Sequence, residues 1–271
     1  MRTTKIEINN LNFLDTTSKY VVANDEYHGI IVMDTSLNEV RRIELDDDIV
    51  VTCSVKHNDE MLLFCYEEEC AFYVDLDKSI VHKFDLKDYE GVYFSRIYFW
   101  ENDTVYLFAD NGDKCVIVDL NSMKMLRSSS AELSESGYFD LFVELNNENI
   151  LSYDHDSNSG LTVRNSHYHI LNCKSKTADD MFIPFLQQEE GIPSNQVYYV
   201  MGFLNDMVLC LSELRMKVSV KDGADFFIDP PYELYRFFGA KVMSVDGRTI
   251  IFAMSCDNSA EGPTLLLRYE Y

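Results

Sequence analysis

Short runs rich in Val, Ile, Tyr and Phe recur about every ten residues along the chain, parted by clusters of Asn, Asp, Gly and Ser. Clear runs are residues 49–55, 61–66, 71–76, 92–99, 105–109 and 115–120. Runs of this length, rich in β-branched and aromatic residues and bounded by turn formers, predict β-strands. No convincing amphipathic helix of more than three turns is written in the chain. The segment 174–195 is the most irregular and is expected to form a long insertion loop.

The runs themselves repeat. Three stretches align: Tyr20-Val21-Val22-Ala23-Asn24 with Gly29 through Asp34; Leu62-Leu63-Phe64-Cys65-Tyr66 with Ala71 through Asp75; and Tyr106-Leu107-Phe108-Ala109-Asp110 with Cys115 through Asp119. Each is a strand, a short acidic loop and a second strand closing on Asp. Each continues through a turn into a more polar strand, at 39–45, 79–86 and 122–126. Asp75 follows Asp34 by 41 residues, and Asp119 follows Asp75 by 44. Weaker copies lie at 149–154 with 160–165, 207–212 with 214–220, and 249–255 with 264–269. One more apolar run precedes a copy, as at 49–55, 92–99 and 196–203.

Four strands per repeat of this length is the unit of a β-propeller blade. The apolar residue followed by Asp, in Met33-Asp34, Val74-Asp75 and Val118-Asp119, resembles the strand end of WD-type propeller repeats. Met or Val replaces the Trp, and the Gly-His signature is missing. The resemblance implies an all-β chain, a β-propeller of about six four-stranded blades, with 1–271 as a single domain and 5–13 as the first inner strand. A β-sandwich or two small β-domains are the alternatives. Only 11 Gly and 5 Pro is low for a propeller.

Charge narrows the class of partner. The chain has 46 Asp and Glu against 23 Lys and Arg, a net charge of −23. Such a chain is repelled by nucleic-acid phosphates and by anionic membranes. With 46% hydrophobic and 13% aromatic residues it has the means to build a core. No run approaches the roughly 20 apolar residues of a membrane helix, and the charged start, Met1-Arg2-Thr3-Thr4-Lys5, does not read as a secretory signal. Seven cysteines, an odd number mostly inside apolar runs, read as reduced thiols of a cytoplasmic protein. Cys65 and Cys70 flank Tyr66-Glu67-Glu68-Glu69, but a zinc site there lacks two further ligands at a usual spacing.

In a propeller, the loops from second to third strand share a face with the loops between blades. The first kind carries Asp25 and Glu26; Glu67, Glu68 and Glu69; Asp110 and Asp113; and Asp154 and Asp156. The second carries Asp46, Asp47 and Asp48, then Asp88 and Glu90. These residues are expected to form an acidic, partner-binding face that steers a cationic protein. Tyr27, Tyr66, Tyr89, Tyr138 and Tyr232 stand in or beside such loops as candidate anchors. The opposite loops are expected to carry fewer acids, among them Asp59, Glu60 and Asp77, mixed with Lys78 and Lys124.

Catalytic signatures are sparse. Asp154-His155-Asp156-Ser157-Asn158-Ser159-Gly160 places oxygen ligands on alternate residues, as calcium loops do, but its Gly comes late and Asn165 stands where a bidentate Glu is required. A polar hairpin loop is expected there. His167 and His169 are two apart and share one side of a strand; with Asp154 or Asp156 they are candidate metal ligands, though solvent-exposed histidines are the expectation. No nucleophile elbow, zinc-protease helix, phosphate loop or dinucleotide-binding glycine pattern is present. On the expected inner strands only Asn12, His57 and Asp140 offer polar groups, and they form no recognisable set. No catalytic residue, metal or cofactor is assigned. In size, acidity and lack of motifs the chain resembles bacterial immunity proteins, including those of contact-dependent inhibition systems. That resemblance implies a binding protein that blocks a basic partner, a cationic nuclease toxin, by covering its phosphate-binding site. A metal-dependent propeller hydrolase and a scaffold subunit are the alternatives.

Overall fold

The repeated runs fold as strands in a computed structural model that describes residues 2–87, 94–109, 115–128, 142–144, 149–153, 167–172, 177–182, 199–204, 207–212, 214–233, 235–245, 248–257 and 264–270. In chain order, β1 (Arg2–Ile8) is followed by the sheet β2 (Leu14–Thr16), β3 (Val21–Asp25), β4 (Gly29–Met33) and β5 (Glu39–Glu44). The second sheet is β6 (Cys53–His57), β7 (Glu60–Cys65), β8 (Cys70–Asp75) and β9 (Ile80–Asp85). The third is β10 (Phe94–Glu101), β11 (Thr104–Ala109), β12 (Cys115–Asp119) and β13 (Lys124–Ser128). The fourth is β14 (Phe142–Glu144), β15 (Asn149–Tyr153), β16 (His167–Asn172) and β17 (Thr177–Phe182). The fifth is β18 (Tyr199–Leu204), β19 (Met207–Leu211), β20 (Met216–Val220) and β21 (Phe226–Ile228). The sixth joins β22 (Tyr235–Val245), β23 (Arg248–Asp257) and β24 (Thr264–Glu270) to β1. All the pairings are antiparallel, and each sheet is a four-stranded meander, the architecture of a propeller blade.

Two compact units divide the chain. One comprises Met1–Val50, Asn158–Val163 and Glu189–Tyr271, and holds the first, fifth and sixth sheets. Its first strands neighbour one another, β22 lying beside both β2 and β18. The other comprises Val51–Ser157 and Arg164–Gln188, and holds the second, third and fourth sheets, with β10 beside β6 and β14.

Three expectations change. Residues 5–13 are not a first inner strand: β1 is the outer strand of the last sheet, its seven residues in register from Arg2 opposite Glu270 to Ile8 opposite Thr264. That pairing covers an edge of β24 which would otherwise expose unpaired backbone groups. The third strand of the fourth repeat lies at His167–Asn172 instead of 160–165, because there the chain pairs with Asn149–Tyr153 in register. Thr177–Phe182, inside the segment expected as an insertion, is the fourth strand of that sheet; residues 183–195 lie outside the described residues.

Alternation of side chains builds the cores. In the second and third sheets, Leu62, Phe64, Ala71 and Tyr73 pack with Tyr98, Trp100, Val105, Leu107, Val116 and Val118. Neighbours at odd offsets, such as Met61, Leu63, Phe72 and Val74, are also buried, so β7 and β8 read as continuous apolar runs. In the other unit β24 serves two cores: Leu265, Leu267 and Tyr269 pack with the fifth sheet, and Leu266 with the first. Fully burying one such side chain contributes about 1.5–3 kcal/mol.

The repeating Asp is a turn cap. Asp34 Oδ1 accepts hydrogen bonds from the amides of Ser36 (2.8 Å) and Asn38 (2.9 Å). Asp75 Oδ1 accepts from the Lys78 amide (2.9 Å), and Asp119 Oδ1 from Asn121 (3.0 Å) and Ser122 (3.3 Å). The strand-to-strand turns also take left-handed backbone at residues other than glycine: Leu37, Ser79 and Met123 after the three caps, and Asn58 and Asn102 in the first hairpins. Asn tolerates this conformation better than most side chains. The low glycine count is thus met by Asn and by strained turns. Gly29 is a place where glycine is required, since a Cβ there would stand 2.1 Å from the Ile43 carbonyl oxygen.

Candidate partner-binding surface

In the first sheet two of the acidic segments meet. The turn from β3 to β4 closes with the His28 amide donating to the Asp25 carbonyl (3.0 Å), and Glu26 takes left-handed backbone. The chain leaving β5 then bonds back to this turn. The Leu45 amide donates to the His28 carbonyl at 2.9 Å, and the Ile49 amide to the Tyr27 carbonyl at 2.8 Å. Glu26, Asp46, Asp47 and Asp48 are therefore exposed side by side, with Tyr27 44% exposed among them. His28 Nδ1 lies 3.4 Å from Asp47 Oδ1.

Asn24 anchors the turn. Its buried amide oxygen accepts from the Asn12 and Phe13 amides (2.9 and 3.0 Å), and its nitrogen donates to the Asn10 and Glu26 carbonyls (2.8 and 3.2 Å). All four hydrogen-bonding positions of the side chain are used. Asn12, an inner-strand candidate in the sequence, is thus one of the backbone donors that this anchor holds.

Asp25 contributes less charge than the sequence suggests. Arg42 Nη1 lies 2.5 Å from its Oδ1, while Arg42 Nε and Nη2 bind Glu39 at 3.0–3.2 Å. These bonds hold the Glu39 carboxyl below its usual range and raise the guanidinium. Sequence spacing gave no sign of Arg42, because it reaches Asp25 only once β3 and β5 have both paired with β4, one on each side.

The corresponding turn of the second sheet, between β7 and β8, carries Glu67 and Glu69 exposed and Glu68 half-buried. The Glu69 amide donates to the Tyr66 carbonyl (3.2 Å), and the Leu86 amide to the Glu69 carbonyl (2.8 Å). Tyr66 is not a free anchor: its ring stacks on Phe64 and its hydroxyl lies 3.4 Å from Cys53 Sγ. Asp88, Glu90, Asp110, Asp113, Asp154, Asp156, Tyr89, Tyr138 and Asp140 lie outside the described residues.

Acids are also plentiful at the other end of the second and third sheets, where fewer were expected. Asp59, Glu60, Asp75, Asp77, Asp103 and Asp119 stand in or beside those turns, with Lys78 and Lys124. Much of this charge is spent on structure. Asp59 is buried, the Tyr73 hydroxyl donates to Glu60, and Lys78 Nζ pairs with Asp75 Oδ2 at 2.7 Å. Burial first, then Glu60, pushes the Tyr73 phenol well above its usual range.

The inner strands hold polar groups that the sequence pattern missed. Asp15 on β2 is almost fully buried, and its Oδ1 lies 3.2 Å from Lys241 Nζ on β22. Tyr98 on β10 donates its hydroxyl to the Lys56 carbonyl of β6 (2.8 Å) and accepts from the Lys56 amide (3.2 Å). His57, another inner-strand candidate, stacks on Trp100 with ring centroids 5.9 Å apart. Among the described residues, no three His, Cys, Asp or Glu side chains gather as a metal site. His167 and His169 lie on β16, opposite Phe182 and Asp180 in register.

No family model matches the chain, and no curated protein matches it in sequence. Solved structures do resemble it. Virginiamycin B lyase from Staphylococcus aureus matches with TM-score 0.50 at 11% identity, over 100% of this chain and 88% of that one. YCF48 bound to D1 peptide matches with TM-score 0.52 at 9% identity, over 98% of this chain and 94% of that one. Identities this low speak for architecture alone. Together with the six four-stranded meanders, they show that the chain has the β-propeller fold.

Proposed function

We propose that this protein is a cytoplasmic binding protein whose single propeller domain takes a basic protein partner, and that the partner is a cationic nuclease toxin which it neutralises. The observation that carries the reading is the exposed group Glu26, Asp46, Asp47 and Asp48 around Tyr27, on a chain of net charge −23. Negative potential next to an exposed aromatic ring speeds encounter with a cationic surface and gives it a place to pack. Bound there, the protein would cover the phosphate-binding site of the nuclease and stand in for its polyanionic substrate. Seven cysteines, an odd number mostly inside apolar runs, fit a reducing compartment. The peptide named with YCF48 is a binding precedent on this fold.

Stopped-flow association with a purified cationic nuclease toxin domain tests the reading. The rate is expected to fall steeply with ionic strength. A variant carrying Asp46→Lys, Asp47→Lys and Asp48→Lys should associate about tenfold more slowly at low salt. The control is Asp77→Lys, an exposed position; Asp59 and Glu60 do not serve, because one is buried and the other holds Tyr73. A rate flat in salt, or equal effects of the two variants, overturns the proposal.

A further inference from the structure

The acidic turn between β7 and β8 is flanked by two thiols that the function above does not use. Cys65 is the last residue of β7, Cys70 the first of β8, and they stand directly opposite each other in register. Directly opposed residues of an antiparallel pair have Cα atoms about 4.5–5.5 Å apart. A disulfide accepts Cα separations of about 4.4–6.8 Å, so the register places this pair within bridging distance. Cys65 and Cys70 are both buried thiols outside any disulfide, at 0% and 2% exposure. The facing Cys70 thiol first, and burial second, push the Cys65 thiol up.

We infer that Cys65 and Cys70 are a dithiol site that closes to a cross-strand disulfide by exchange with a low-molecular-weight disulfide, stapling the Tyr66–Glu69 turn. The exchange has two steps. A Cys70 thiolate attacks one sulfur of the oxidant; a mixed disulfide forms and the first small thiolate leaves. The Cys65 thiolate then attacks the Cys70 sulfur, and the second small thiolate leaves. The two protons lost from the cysteines go to the two released thiolates, so the protein is oxidised by two electrons and the small disulfide reduced by two.

Burial sets the rate. The thiols meet an oxidant only when the turn frays, so the site is a slow staple and not a fast peroxide sensor. Once closed, the bridge confines the loop that presents Glu67, Glu68 and Glu69, whichever partner that loop meets.

The experiment incubates the whole protein with oxidised glutathione, with and without urea below its unfolding midpoint, then blocks remaining thiols and maps peptides. Cleavage at Lys56 and Lys78 releases residues 57–78, which contain both cysteines. The expected result is loss of two hydrogens from that peptide, faster in sub-denaturing urea, with Cys53, Cys115 and Cys210 still alkylated after denaturation. Further cleavage after Glu67, Glu68 or Glu69 should leave two fragments joined by the bridge. The oxidised protein should then unfold at a higher urea midpoint, and a Cys65→Ala variant should show neither the mass change nor the shift. Mixed disulfides confined to Cys53, unchanged residues 57–78 in urea, or a lower midpoint after oxidation each overturn the inference. The mass map uses the wild-type chain, so it holds whether or not the variant folds.

Discussion

Asp34, Asp75 and Asp119 show how one residue type serves a repeat. Burial alone would raise the Asp34 and Asp75 carboxyls, but the hydrogen bonds from Asn38 and Ser36, and from Lys78, outweigh it and hold both below the usual carboxylate range. At Asp119 the Ser122 hydroxyl and amide act first, in the same direction. A carboxyl depressed in the folded state contributes stability that is present above its unfolded pKa and lost as pH falls through the folded one. The three caps should therefore hold the fold down to about pH 4 and release it below. Replacing all three with Asn keeps turn-capping oxygens but removes the charge. Urea midpoints measured from pH 6 to pH 2.5 should drop less steeply for that variant than for the wild type; parallel curves would mean that the caps do not drive the acid limb. At the alkaline end burial raises Cys210 to about 12 and Tyr269 to about 12. Their contribution is complete below about pH 9 and is lost as pH climbs from there through about 12.

At the scale of elements, neighbouring sheets are held by faces of alternating side chains, with single polar ties between first strands. The Asp15–Lys241 pair is one such tie, joining β2 to β22 within one unit. Asp15 is 3% exposed at its side chain and Lys241 is 24%, so the carboxylate depends on its partner more than the ammonium does. Lys241→Met leaves the carboxylate buried without that cation and should cost about 3 kcal/mol. Adding Asp15→Leu removes the stranded charge and should recover most of the loss, because an apolar pair of similar size is often as stable as a buried ion pair. Urea unfolding of the two single variants and the double variant measures this coupling. Additive losses would show that the two side chains do not sense each other. The pair was not legible in the sequence: Asp15 and Lys241 lie 226 positions apart, and only the pairing of the last sheet next to the first brings them together.

At the scale of the whole chain, a net charge of −23 works against compaction while it steers partners. Arg42, Lys78 and Arg215 each neutralise acids locally, Arg215 through Asp229 at 2.5 Å. Raising sodium chloride from low to physiological strength at neutral pH should therefore stabilise the fold by about 1 kcal/mol, by screening repulsion more than it weakens these exposed pairs. A fall in the urea midpoint with salt would show the reverse balance. The sequence by itself determined the strands, the repeat and the propeller class, because these rest on local alternation and turn chemistry: the 41-residue step from Asp34 to Asp75 returns as equivalent turns with equivalent hydrogen bonds, Leu45 to His28 and Leu86 to Glu69. It also named the acids that meet at the first sheet, since loop type follows from strand order. Only the tertiary structure decided that β1 closes the last sheet, that Arg42 quenches Asp25, and that Asp15 finds Lys241. Each of these joins residues distant in the chain through pairing and packing, and no local pattern encodes which strand will stand beside which.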